Sequence, residues 1–314
     1  MSIPVNIHYY KKVSTTMLQG QRILQQYCQK RTAGGLIGVL ADQQTAGKAT
    51  TGRHWLSPEG NMYFTLCVPL QPPTGGYGLS QTLLPVLPLL CGLVCREAVY
   101  HLVEEVLPAG DSKKMFHLQT KWPNDIVYHG KKLGGSLVEP FDEHQVLPES
   151  DAETVAHEEQ QQEEAASPTI PFNANYVLIG IGLNVAAVPV LQDGGRVATC
   201  IQDVLESFCK EQHISFGESG VPRLSPRRLA HFICEAFLPY LTPGAHTPDR
   251  KSVVSEFEKY MDKSLVLHKR VTTADGQQTR EEVNLKALRL NEWGHLTVRN
   301  PYGAEETLCA EYLY

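Results

Sequence analysis

Apolar residues recur at Leu89, Leu90, Leu93, Val94, Ala98, Leu102, Val103 and Val106. That three-to-four-residue spacing predicts a helix over 89–107 with one face in a core. Ser14, Thr15 and Thr16 precede a stretch with apolar or long side chains at Met17, Leu18, Ile23, Leu24 and Tyr27, so a hydroxyl there can cap a second helix. Residues 225–241 and 253–261 also read as helical. Short runs rich in aromatic and β-branched residues predict buried strands at 36–40, 62–68 and 176–185. Residues 126–128 and 133–139 flank a His129-Gly130 turn and predict a hairpin.

The pattern changes over the last fifty or so residues. Short apolar runs at 265–267, 283–290, 296–298 and 308–312 are separated by turns at Asp275-Gly276, 291–294 and 300–303. A small β-barrel over 262–314, appended to a main domain over 1–261, fits this spacing. Between the strands ending near 139 and starting near 176 lies a polar stretch with too little apolar surface to offset the entropy of ordering. Residues 142–172 are therefore expected to form a disordered acidic insertion.

Composition narrows the class. The 314 residues are 42% hydrophobic and 20% charged, which excludes a fully disordered, collagen-like or disulfide-stapled chain. The net charge of −6 argues against a general nucleic-acid binder. Residues 142–168 hold nine carboxylates and no lysine or arginine, leaving 28 basic against 25 acidic residues elsewhere. A body with net +3 suits anionic substrates. The eight cysteines show no C-x-x-C pair and sit among apolar neighbours, so reduced, buried thiols and no metal site are expected. The first residues carry no apolar signal core, and the longest apolar run, 83–94, is broken by Pro85 and Pro88 and too short to span a bilayer. A cytoplasmic protein with no membrane contact is expected.

Three segments can carry chemistry. In Lys121-Trp122-Pro123-Asn124-Asp125, Pro123 biases Trp122 to an extended conformation and Asn-Asp favours a turn. Lys121 is then either a fixed charge leaving a strand or a surface lysine at a strand end. Residues 43–55, QQTAGKATTGRHW, present Lys48, Arg53 and two glycines to an anion but lack the spacing of a P-loop; a mobile surface loop is the alternative. In YVLIGIGLNV, Gly180, Gly182 and Asn184 alternate on one face of a strand. They make either a flat floor for a planar ligand or two core glycines that permit close packing. The twelve histidines support no catalytic triad, and only His54 falls in a candidate site.

Taken in order, Ser14-Thr15-Thr16, Gln44-x-Ala46-Gly47, the run from Gly52 through Arg53-His54-Trp55 to Pro58, KWPND at 121–125, LGGSLVE at 133–139 and GIGLNV at 180–185 resemble the biotin protein ligases. The resemblance covers most of residues 3–241, and the terminal segment is similar to the SH3-like domain that ends many of these enzymes. It implies an α/β (α+β) catalytic domain on a mixed sheet with helices on one side. It also implies activation of biotin by ATP and Mg2+ to biotinyl-5′-AMP, followed by acylation of a lysine on a biotin carboxyl carrier domain. Lys121 and Arg53 would be catalytic. Ser14, Thr15, Thr16, Gln44, Gly47, Lys48, Thr50, Lys121, Gly135, Gly180 and Gly182 would serve biotin, and Arg53, His54, Trp55, Asn124 and Asn184 the nucleotide.

Where relatives read G-[RK]-G-R-x-G, this chain reads Gly47-Lys48-Ala49-Thr50-Thr51-Gly52. Threonine lacks the arginine's charge and Ala49 resists positive φ, so the loop is expected to hold the adenylate less firmly. The ligase region begins within a few residues of Met1, and a monofunctional form without a DNA-binding domain is expected. A lipoate protein ligase and a non-catalytic biotin-binding module are the competing readings.

Overall fold

The computed structural model describes residues 5–30, 36–50, 53–71, 77–107, 117–149, 153–154, 175–189, 197–241, 247–264, 267–272 and 278–309. At its centre, β1 (Val5–Val13), β2 (Leu36–Gln44), β3 (Met62–Pro69), β4 (Gln119–Lys121), β5 (Asp125–Tyr128), β6 (Lys131–Pro140), β7 (Glu153–Thr154) and β8 (Tyr176–Leu183) form an eight-stranded sheet. The strand order is β4-β5-β6-β8-β3-β2-β1-β7. β1 and β2 run parallel because α1 (Thr16–Lys30) crosses over between them, and every other pair is antiparallel. Thr15 starts α1 as expected, its hydroxyl accepting the Leu18 N–H at 3.0 Å.

β3 is buried along its whole length because both faces of the sheet are covered. Leu36, Leu40, Phe64 and Leu66 join a large core with α2 (Leu87–Glu104), α3 (Ile201–Glu211), α4 (Pro226–Leu241) and α5 (Arg250–Tyr260). Ile37, Val39 and Cys67, alternate positions on the same strands, pack instead against Met17, Ile23 and Leu24 of α1. Helices therefore lie on both sides of the sheet, not on one.

The stretch Gln81–Glu104 is long and apolar enough to cross a bilayer, yet most of it is buried inside the protein. The two prolines do not break it: Pro85 sits in a 3-10 turn and Pro88 at the start of α2, where the missing N–H costs no helical bond. All eight cysteines are free, and burial pushes the thiols of Cys67 and Cys91 up to about 12.

Residues 142–149 and 153–154 of the expected acidic insertion are among those described. Residues 142–149 run over α1, held by Gln25 Nε2 donating to the carbonyls of Glu143 and Gln145 at 3.2 and 2.9 Å and by Gln21 and Arg22 donating to those of Asp142 and Pro148. Glu153–Thr154 then adds β7 to the edge of β1. Donors on another element order this segment, so it needs no core of its own. Residues 150–152 and 155–172 of the same reading lie outside the described residues.

Beyond α5, β9 (Leu267–Thr272), β10 (Gln278–Leu290), β11 (Leu296–Arg299) and β12 (Glu305–Leu308) form a second, four-stranded antiparallel sheet in the order β12-β11-β10-β9. The last described strand, Glu305–Leu308, meets the predicted 308–312 only at Leu308. Asn300 Oδ1 accepts the N–H groups of Tyr302 and Ala304, both at 3.0 Å, closing a turn that sets Glu305 opposite Arg299. Residues 265–266, the Asp275-Gly276 turn and residues 310–312 lie outside the described residues.

Candidate active site

The register of the large sheet builds one row of the site. Lys121 lies opposite Asp125, Asp125 opposite Gly135, and Gly135 opposite Gly182. Residues directly opposed on neighbouring strands share a face. Lys121 and Asp125 are buried, and Lys121 Nζ stands 4.0 Å from Asp125 Oδ2. On the other carboxylate oxygen, Lys132 Nζ donates to Asp125 Oδ1 at 2.6 Å. Among the described residues one carboxylate thus faces two ammonium groups, an excess of positive charge suited to an anion.

The glycines are required by close approach. A Cβ at Gly135 would come within 2.6 Å of Asp125 Oδ1, and one at Gly182 within 2.8 Å of the Trp55 indole. The Trp55 ring covers Gly182, with Lys132 Nζ 5.3 Å from a ring centre. Asn124 clamps the turn beside Lys121, donating through Nδ2 to the Ser136 carbonyl and accepting the Ser136 N–H through its own carbonyl at 3.2 Å.

A second, neutral group leads from α1 to Trp55. Gln44 Oε1 accepts from the backbone N–H and hydroxyl of Thr16 at 2.9 and 3.2 Å, and Thr65 Oγ1 donates to Thr16 Oγ1 at 2.8 Å. Gln44 Nε2 donates to Ser57 Oγ, and Ser57 Oγ to the Trp55 carbonyl, both at 3.2 Å. The Ser14 carbonyl accepts the Ala46 N–H at 2.9 Å. Gly47 has no room for a side chain, since its Cβ would lie 2.5 Å from the Trp55 carbonyl. These amides and hydroxyls suit a neutral polar ligand group, whereas the Lys121 corner suits a charged one.

The other expected residues stand apart. Lys48 and His54 bridge across a small hairpin in which the Ala49 N–H donates to the Arg53 carbonyl and the Trp55 N–H to that of Gly47, both at 2.8 Å. Arg53 folds back onto Thr50, donating to its carbonyl at 3.4 Å and its hydroxyl at 3.3 Å. Lys48, Arg53 and His54 are exposed. Gly180 is covered by Met17, whose Sδ would be 2.8 Å from a Cβ there, so the space beside it is filled by a core side chain. Asn184 is buried and donates to the Thr199 carbonyl at 3.1 Å, while its Oδ1 and the buried Trp55 Nε1 have no partner among the described residues.

Sequence reasoning missed Lys132, Thr65 and Ser57. Lys132 was hidden by a bulge: Asp125 and Ile126 pair with Gly135 and Gly134, but Val127 pairs with Lys132, so Leu133 is extra. The only hint was its place just after the Gly130 turn. Among the described residues no three His, Cys, Asp or Glu side chains are grouped to hold a metal ion.

This fold and site define a class of acyl ligases: residues 12–146 match the model of the biotin/lipoate A/B protein ligase family. The biotin protein ligase of Leishmania major, solved in complex with biotin, is 34% identical over 97% of this chain and 98% of its own, with a TM-score of 0.61. The same enzyme has been solved with biotinyl-5-AMP. The biotin--[acetyl-CoA-carboxylase] ligase of Paracoccus denitrificans is 33% identical over 35% of this chain and 40% of its own length. The human biotin--protein ligase is 28% identical over 56% of this chain and 18% of its own. The chain thus matches less than half the length of these two curated relatives. It belongs to the biotin protein ligase family.

Proposed function

We propose that this chain activates biotin with ATP and transfers it to a lysine of a biotin carboxyl carrier domain. The observation that carries the reading is the pair Lys121 and Lys132 converging on one carboxylate beside the glycine row. Biotin's carboxylate and the α-phosphate of ATP repel each other, and fixed cations at their meeting point remove that penalty without reorganising when the reaction occurs.

A carboxylate oxygen of biotin attacks the α-phosphorus, and the bond from that phosphorus to the bridging oxygen of pyrophosphate breaks. The acceptor lysine, as the free amine, then attacks the acyl carbon; the bond to AMP breaks, and the amine's proton leaves to solvent. Lys121 and Lys132 hold the carboxylate and the phosphoryl oxygens in this reading. Thr16 and Gln44, with Ser14 and Thr15 at the same end of α1, offer neutral donors and acceptors to the ureido ring. Gly47 and Gly135 keep side chains out of its path, and Gly182, uncovered by movement of Trp55, lies beneath the ring; Met17 leaves Gly180 the lesser part of that floor. Arg53, His54, Trp55, Asn124 and Asn184 serve the nucleotide side. Lys48 and Thr50 belong to the loop that closes over the adenylate and keeps water from the mixed anhydride. Magnesium, held largely by nucleotide phosphates, would neutralise part of their charge.

Incubation with ATP, magnesium and a carrier domain, followed by mass spectrometry of the acceptor, tests this. Biotin should be added to one lysine, and lipoate in its place should not be. Absence of biotin-dependent pyrophosphate release would sink the reading and leave a binding module; transfer of lipoate alone would make it a lipoate ligase.

A further inference from the structure

β4, which carries Lys121, is three residues long and forms the outer edge of the large sheet. A strand this short has few ladder bonds to hold it, yet Lys121 is among the most enclosed charges described. Its support comes from the far end of the chain. The segment after α5 lies along the outer side of β4, with Met261 bridged to Thr120 and the Asp262 N–H donating to the Thr120 carbonyl at 2.8 Å. Next to Lys121, the buried indole of Trp122 donates through Nε1 to the carbonyl of Gly294 at 2.8 Å.

Gly294 belongs to the β10–β11 turn, which is itself braced. Asn291 Oδ1 accepts the N–H groups of Trp293 and His295 at 2.9 and 3.0 Å. Arg250 of α5 stacks on Trp293, 3.6 Å from a ring centre, and pairs with Glu292 at 3.8 Å. Gly294 has φ +79°, and a Cβ there would lie 2.9 Å from Leu89 Cδ1 and 3.2 Å from Val86 Cγ1. Only a residue without a side chain can set its carbonyl under the Trp122 indole while touching α2.

We infer that Trp122 and the 291–295 turn of the C-terminal sheet are a positioning device for Lys121, so that the second sheet fixes a reacting charge in the first. This deepens the proposed ligase reading and rests on it for its kinetic part. Removing the indole donor leaves Lys121 chemically intact but loosens where its ammonium group stands, and a displacement of about 1 Å can cost one to two orders of magnitude in rate.

The test is Trp122→Phe, which keeps most of the packing and deletes the N–H. Biotin-dependent ATP–pyrophosphate exchange should fall about tenfold in kcat, with biotin Kd changed less than twofold. Independently of any ligase activity, Lys121 in the unliganded protein should become more reactive toward an N-hydroxysuccinimide ester, read by mass spectrometry. Val298→Ala supplies the control: it thins the packing of the second sheet at β11 without touching the Trp122–Gly294 bond, should lower Tm, and should leave kcat per folded molecule and Lys121 labelling unchanged. Unaltered labelling in Trp122→Phe overturns the inference, as does a Val298→Ala variant that matches the Trp122→Phe changes. A wild-type protein without exchange activity, but with the labelling difference intact, would sink the ligase reading and leave the positioning.

Discussion

The Lys121 corner and the 47–55 loop both present cations, but they are built in opposite ways. Lys121 is buried, faces a carboxylate also bonded by Lys132, and sits on a strand held on both sides. Arg53 and Lys48 are exposed, and Arg53 folds back onto the carbonyl and hydroxyl of Thr50 in its own hairpin. A charge that must meet developing phosphoryl charge gains from being fixed beforehand. A charge that must admit a nucleotide and then cover it gains from local contacts that can be exchanged. In the proposed reading, the Lys121 corner would be the preset anvil and the 47–55 loop the closing cover.

The largest expected effect falls on the fixed side. Lys121→Ala should slow biotin-dependent pyrophosphate release by about 10²–10³-fold, with a much smaller change in biotin Kd, as single-turnover kinetics and calorimetry would show. An equal loss in both would mean that the corner serves binding alone. Gly134→Ala comes next: its methyl would lie 2.2 Å from the Gly182 carbonyl, and the clash with backbone should cost about 1–3 kcal/mol, measured as a lower urea midpoint. An unchanged midpoint would show that the row is less tightly set than the register implies.

On the covering side, Arg53→Ala should slow activation by about tenfold, mainly through weaker retention of nucleotide. A loss as deep as that of Lys121→Ala would erase the distinction between the regions. Thr50→Arg should slow escape of biotinyl-AMP a few-fold, since a guanidinium can pair with phosphate where a hydroxyl cannot; unchanged or faster release in a trapping assay would count against it. The smallest effect concerns the core beneath both. Alkylation of the native protein should reach Cys28 and Cys309 first, because burial raises Cys67, Cys91 and Cys234 and removes their thiolates at neutral pH.

Much of this was legible in advance because it is local. The spacing of Leu89 through Val106, the hydroxyls before Met17 and the turn at His129-Gly130 each report one element, and α2, α1 and the β5–β6 hairpin lie there within a few residues. KWPND announced a turn at Lys121 for the same reason, since Pro and Asn-Asp bias their own backbone, although what holds that turn in place comes from elsewhere in the chain. The glycine alternation at 180 and 182 was also visible, but sequence could not say that Met17 would cover one and Trp55 the other. That choice depends on where α1 and the 47–55 loop are folded back.

What the sequence alone determined was the alternation of helix and strand, the turn that carries Lys121 and the likeness to the ligases. Tertiary structure decided the rest. A one-residue bulge brings Lys132 to Asp125, donors on α1 order the start of an acidic segment with no core of its own, and a turn some 170 residues downstream holds the Trp122 indole. Local pattern encodes conformation through nearest neighbours, whereas register and docking are settled by surfaces that meet only after the chain has closed on itself.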